Sequence, residues 1–137
     1  MRLSKLVMDV CRGSRLLLGR YVSEATPRPY NQLRVLQVVN EGICSQILVA
    51  ERLFLDPPAV SRLVDKLEGD GLLSRAEGAD RRCVKLDVTA AAAAELERLE
   101  GCQDRLDEVV CRYLDETERT DLRRLLAKLG DGLRLEG

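Results

Sequence analysis

The chain has 137 residues, 45% hydrophobic and 33% charged, with a formal net charge of -1, which describes one domain able to bury a modest core. Aromatic residues are only 3%, so that core is aliphatic, and a charge balance so near zero excludes a protein that coats nucleic acid indiscriminately. There is no histidine, which removes the commonest general base, the Ser-His and Cys-His nucleophile systems and histidine-containing zinc sites; neither an enzyme nor a metal or other cofactor is expected.

Residues 1 to about 24 read as a first helix with Leu3, Val7, Val10, Ser14, Leu17 and Tyr21 along one face, broadened by Cys11 and Leu18. So wide a stripe on an end helix points to burial against a partner subunit as well as its own domain. Asp9 and Arg12 interrupt the apolar residues of this start, so no secretion leader is expected, and no apolar run approaches the ~18 residues of a membrane span. A cytoplasmic location without a membrane partner follows, with the five cysteines kept as thiols. Residues 25–30, with Pro27 and Pro29, form a turn. A second helix over about 31–40 carries Leu33, Val35, Leu36 and Val39 and is ended by Glu41 and Gly42.

Residues 45–87, SQILVAERLFLDPPAVSRLVDKLEGDGLLSRAEGADRRCVKLD, read as helix, turn, helix, strand, basic loop, strand. Ser45 is the N-cap of a helix to about residue 54, with Ile47, Leu48 and Leu53 expected to face inward. Asp56 caps the next helix, which opens on Pro57 and runs to about residue 68. Within it Val60, Leu63, Val64 and Leu67 recur at i, i+3, i+4 and i+7, which leaves Ala59, Ser61, Arg62, Asp65 and Lys66 outward or flanking. Small and cationic residues in its first turns suit a major groove. Gly69 and Gly71 end the helix, and residues 72–75 are expected to pair with 84–88 across the loop GADRR.

In LDPPAVSRLVDKLEGDGLLSR and ADRRCVKLDVT the chain resembles the winged helix-turn-helix core of the MarR family of bacterial transcriptional regulators, whose wing carries a D-x-R pattern supplied here by Asp80, Arg81 and Arg82. The resemblance implies a mainly α fold with a small β wing and a DNA-binding core over about 31–88. It also implies a very short strand at Ile43 and Cys44 that closes the wing sheet. The helices of about 1–24 and 90–135 would serve dimerisation, the whole of 1–137 forming one domain.

After the wing, Thr89 is expected to cap a long helix that opens on five alanines and carries Leu96, Leu99, Leu106, Val110 and Tyr113, a heptad-like seam interrupted by Gln103. Residues 114–117 make a turn, and a last helix over about 118–133 presents Leu122, Leu125, Leu126, Leu129 and Leu133. Three wide apolar stripes exceed what one small winged domain needs to cover. The first and last two helices therefore read as a homodimer module, with Leu3, Val7, Val10, Leu17, Leu122, Leu126 and Leu129 at the interface. Two reading heads at a fixed spacing suit a palindromic operator.

Between residues 56 and 85, Arg62, Lys66, Arg75, Arg81, Arg82 and Lys85 stand against Asp56, Asp65, Glu68, Asp70, Glu77 and Asp80. The segment is neutral, so binding of double-stranded DNA must come from local placement of charge, helix N-termini and backbone amides. Arg82, beside Arg81 and oriented by Asp80, is expected in a minor groove; its alternative is a solvated turn ion pair worth under ~1 kcal/mol. Arg62 would bond a guanine edge or a phosphate, and Ser61 and Lys66 phosphates, unless they are ordinary surface polar groups. Ser45 and Gln46 sit where the first helix meets the backbone, although Ser45 also reads as a simple cap. Pro57 and Pro58, next to Ala59, set the start of the second helix and offer apolar contact to a thymine methyl.

Five cysteines leave thiol sensing open beside burial as small apolar residues. Cys83 lies next to Arg82, Cys44 near the wing sheet, and Cys11 near Arg12 and Arg15; the resemblance implies a reactive first-helix cysteine in peroxide-sensing members. Cys102 and Cys111 point to nearly opposite sides of one helix and cannot bridge within it. The expected function is a homodimeric repressor released by a small aromatic or lipophilic ligand or by cysteine oxidation. A winged-helix protein-interaction module without specific DNA binding is the alternative.

Overall fold

The computed structural model describes residues 1–77 and 84–137, and of Glu77 only the backbone. In chain order the described residues form α1 (Leu3–Ala25), α2 (Tyr30–Asn40), α3 (Gln46–Leu53), α4 (Pro57–Gly69), β1 (Leu73–Glu77), β2 (Val84–Val88), a 3-10 turn (Ala90–Ala92), α5 (Ala93–Tyr113) and α6 (Glu116–Glu136). The fold is mainly α with a two-stranded antiparallel wing, paired from Leu73↔Val88 to Glu77↔Val84. No helix among the described residues is long and apolar enough to cross a membrane.

Two aliphatic cores divide the work. The larger lies under the hairpin, where Val35, Leu36 and Val39 of α2, Val49 and Ala50 of α3, Val60, Val64 and Leu67 of α4, and Leu73 and Leu86 of the strands close on one another. In α4 the spacing predicts the buried stripe: Val60, Val64 and Leu67 are fully buried and Leu63 packs beside them. The smaller core joins Leu18 and Val22 of α1 to Leu33 of α2 and to Leu99 and Cys102 of α5. The Arg105 guanidinium lies over the Tyr21 ring at 3.9 Å and pairs with Glu24 at 3.1 Å, which fastens α5 to α1 across the solvent edge. Gln103, the polar break in the α5 seam, has a partner: its side-chain amide and that of Gln37 exchange hydrogen bonds at 2.8 and 3.3 Å, docking α5 on α2.

Several expectations need correction. Ile47 and Leu48 are 66% and 51% exposed, not inward. The packed stripe of α3 is Gln46, Val49, Ala50 and Leu53, in which the small Ala50 allows α3 to lie close to its neighbours. Thr89 does not cap α5; its hydroxyl donates to the Gly71 carbonyl at 2.6 Å, and the 3-10 turn precedes the helix. Ile43 and Cys44 form no strand, although the Cys44 carbonyl accepts the Leu86 N–H at 2.8 Å, a single rung beside the hairpin. Tyr113 is 78% exposed, beyond the packed part of the α5 seam. The last helix starts earlier than expected because Asp115 and Glu118 form a reciprocal capping box.

Candidate nucleic-acid interface

The second helix of the pair, α4, is set by its own sequence. Asp56 Oδ1 accepts the Ala59 N–H at 2.8 Å, and Pro57 and Pro58 fill positions whose N–H groups have no partner in the helix. Both prolines are exposed, with Ala59 and Ser61 half-buried behind them and Arg62 and Lys66 exposed on the outer face. The turn from α3 to α4 is tightened at Phe54, which among the described residues is the one non-glycine with positive φ, at 56°, a left-handed conformation that costs roughly 1–2 kcal/mol. Ser45 caps α3 by accepting the Leu48 N–H at 3.1 Å, so its oxygen is engaged as the capping reading had it.

Charge around α4 is sorted in a way that its neutral sum conceals. Arg75, on β1, donates to Asp65 at 2.7 Å, to Glu68 at 3.2 Å and to Gln46 Oε1 at 3.2 Å. At the other flank Asp70 accepts from Arg28 at 2.8 Å and faces Lys66 at 3.4 Å. The Arg28 hydrogen bond, aided by Lys66 and opposed by partial desolvation, holds the Asp70 carboxyl below its ordinary range. Asp56 is engaged by the backbone. Every carboxylate on α4 and at its two ends thus has a partner, whereas Arg62 has no ion-pair partner among the described residues. What the outer face presents unopposed is Arg62, with Lys66 beside it.

Asp80, Arg81, Arg82 and Cys83, which carry the wing-tip and one thiol expectation, lie outside the described residues. Of the other thiols, Cys11 and Cys111 are exposed, Cys44 is half-buried and Cys102 is buried; burial pushes the Cys102 thiol up, with Arg105 opposing and Glu24 adding to the shift. Among the described residues no cluster of histidine, cysteine and acidic side chains is placed to hold a metal ion. Leu3 and Val10 are 76% and 66% exposed and Leu122, Leu126 and Leu129 between 37% and 55%, with Val7 and Leu17 half-buried. Within the chain α1 packs instead through Leu18 and Val22, and α6 has no buried residue.

Two residues escaped the sequence reading. Arg75 entered only as a charge, although it sits two residues past the buried Leu73 and so on the inner face of its strand, a placement that strand periodicity alone supplies. Arg134, near the end of α6, stands over the Phe54 ring at 5.5 Å. Together with Ile47, Leu55 and Pro57 they line a cleft of about 420 Å³ between the α3–α4 turn and the C-terminal helix. No sequence signal links positions so far apart.

The MarR family model matches residues 26–82, the span from the turn before α2 to the wing. Among solved structures, apo MarR from E. coli is 25% identical and superimposes with a TM-score of 0.77 over 94% of this chain and 97% of its own. A cysteine-to-serine mutant of the E. coli protein in complex with operator DNA is also 25% identical, with a TM-score of 0.77 over 93% of this chain and 92% of its own. A further transcriptional regulator, 24% identical, shares the fold with a TM-score of 0.81 over 96% of this chain and 98% of its own.

Proposed function

We propose that the chain is a winged-helix transcriptional regulator of the MarR type, a reading that the family-model match over residues 26–82 and the likeness to solved MarR structures support, and that it acts as a homodimeric repressor that binds a palindromic operator and leaves it when an inducer or oxidant changes the dimer module. The observation that carries this reading is the sorted charge of α4: its carboxylates are all engaged and Arg62 stands unopposed on the outer face. The mutant of similar fold held by operator DNA supports it. In this reading α4 lies in the major groove, Arg62 bonds a guanine edge or phosphate, and Ser61, Lys66 and the amides near Ser45 and Gln46 hold the backbone. Gln46 shares its oxygen with Arg75, so its amide nitrogen is the part left for DNA. Asp80, Arg81 and Arg82 would supply the minor-groove contact from the wing.

The exposed leucines of α6 and the outer stripe of α1 support a second copy of the chain as partner. Release needs an effector that binds the DNA-free arrangement more tightly than the DNA-bound one. Two features support such a step: the cleft between the α3–α4 turn and α6, which touches both modules, and the exposed Cys11 on α1. The test is salt-dependent binding of the purified protein to the DNA upstream of its own coding region, repeated with Arg82→Ala and after peroxide followed by reductant. Tight binding that falls with salt and weakens in Arg82→Ala is expected. Absence of specific binding there and in a selected random pool would favour the protein-interaction alternative.

A further inference from the structure

On a bare helix Arg62 and Asp65 stand at i and i+3, the spacing at which opposite charges pair along a helix. An Arg62 so engaged would meet a phosphate as part of a neutral pair, and Glu68, one turn further along, would add repulsion. In the structure Asp65 turns away from Arg62. Its carboxylate lies 2.7 Å from the Arg75 guanidinium, and Glu68 lies 3.2 Å from the other arm of the same group. Arg75 is well placed to win this competition. Its strand position, paired with Leu86 and following the buried Leu73 on the inner face, leaves its side chain 26% exposed against 63% for Asp65. Much of its rotamer freedom is therefore lost on folding, before any acid is bound. Its third bond, to Gln46 Oε1, brings the start of α3 into the same group.

We propose that Arg75 is a positioning residue for DNA binding: it draws Asp65 and Glu68 off the outer face of α4, and so keeps Arg62 unpaired for the phosphate or base, without touching DNA itself. The inference rests on the DNA-binding reading above and adds a residue that acts through another. The hold of Asp65 and then Glu68 on the guanidinium also raises its affinity for the proton, against the opposing effect of burial. Arg75 is accordingly a fixed charge at any pH at which the fold persists.

The test measures binding of the full chain to a fluorescent duplex of mixed sequence over a salt series, alongside urea unfolding of each variant. Four proteins are compared: wild type, Arg75→Ala, the double variant Asp65→Asn/Glu68→Gln, and the triple variant that combines them. Arg75→Ala is expected to bind roughly tenfold more weakly at low salt and with a shallower salt slope. The triple variant is expected to regain wild-type affinity although the arginine is still missing, and its gain over Arg75→Ala should exceed the gain of the double variant over wild type, an excess that the general loss of two negative charges would not produce. A triple variant that is folded yet as weak as Arg75→Ala overturns the inference, as does an Arg75→Ala protein that binds like wild type. Should Arg75→Ala fail to fold, the double variant decides, because it retains Arg75: binding within roughly threefold of wild type upholds the inference, since acids already held by Arg75 no longer oppose Arg62, and a marked gain or loss overturns it. Loss of salt-dependent binding in the wild type itself would instead remove the regulator reading, and this inference with it.

Discussion

Arg62 and Cys102 show how far a single side chain's surroundings decide its part. Arg62 is exposed with no ion-pair partner among the described residues, so Arg62→Ala should leave stability within about 0.5 kcal/mol while lowering the salt slope of DNA binding by about one. An unchanged slope would remove Arg62 from the phosphate contacts. Cys102 is buried with its thiol pushed up, so in the native protein it should resist a thiol reagent that labels the exposed Cys11 and Cys111. Cys102→Ser, which buries a hydroxyl there, should cost about 1–3 kcal/mol in urea unfolding. Rapid native-state labelling of Cys102 would contradict its placement in the α1–α5 core. Asp70 gives a pH dependence with a definite sign. Its carboxyl is held below the ordinary range by Arg28 and Lys66, so its contribution is complete above the usual aspartate value of about 3.9 and is lost as pH falls through the lowered folded value. The stability gap between wild type and Asp70→Asn should therefore close in acid, and a gap that persists there would place the effect outside this ion pair.

At the level of the element, α4 was the most legible part of the chain and α3 among the least. In α4 the cap, the proline and a stripe of four apolar residues agree, and each is local chemistry that acts the same way in any fold. Asp56→Ala should cost about 1 kcal/mol of stability, read by thermal or urea unfolding, and should loosen the first turn from which Pro57, Pro58 and Ala59 are presented. An α3 of eight residues holds barely two turns, and two stripes compete within it. Ile47 and Leu48 are the more hydrophobic choice, but the space between α2 and α4 admits Val49 and the small Ala50. The short strand at Cys44 failed for a related reason. One hydrogen bond to Leu86 is made, and the chain turns into α3 before a second can form.

For the whole molecule the decisive surface is that of α6. A helix of 21 residues with none buried carries Leu122, Leu125, Leu126, Leu129 and Leu133 on its surface, an apolar face that the described residues of its own chain leave largely uncovered. A second copy would bury that face, so Leu126→Glu combined with Leu129→Glu should convert a dimer to a monomer in sedimentation equilibrium. It should also cut affinity for a palindromic site by well over roughly tenfold, since two heads held together bind as one unit. A wild-type protein that sediments as a monomer would sink the dimer reading. Such a result would leave the winged-helix fold untouched, because the larger core closes within one chain.

By itself the sequence determined the helices, the caps at Ser45 and Asp56, the hairpin and the winged architecture, because periodicity and capping act over a few residues. Two things were decided only when distant segments met. The pairing of Arg75 with Asp65, Glu68 and Gln46 joins residues up to 29 positions apart, and it turns a neutral stretch into a surface on which one arginine stands clear. The hydrogen bonds between Gln37 and Gln103, 66 positions apart, likewise turn an apparent flaw in a seam into the joint between reading head and long helix. Charge counted along a chain is a sum, whereas a ligand meets the charges left unpaired at one surface, and that remainder is fixed by tertiary contact.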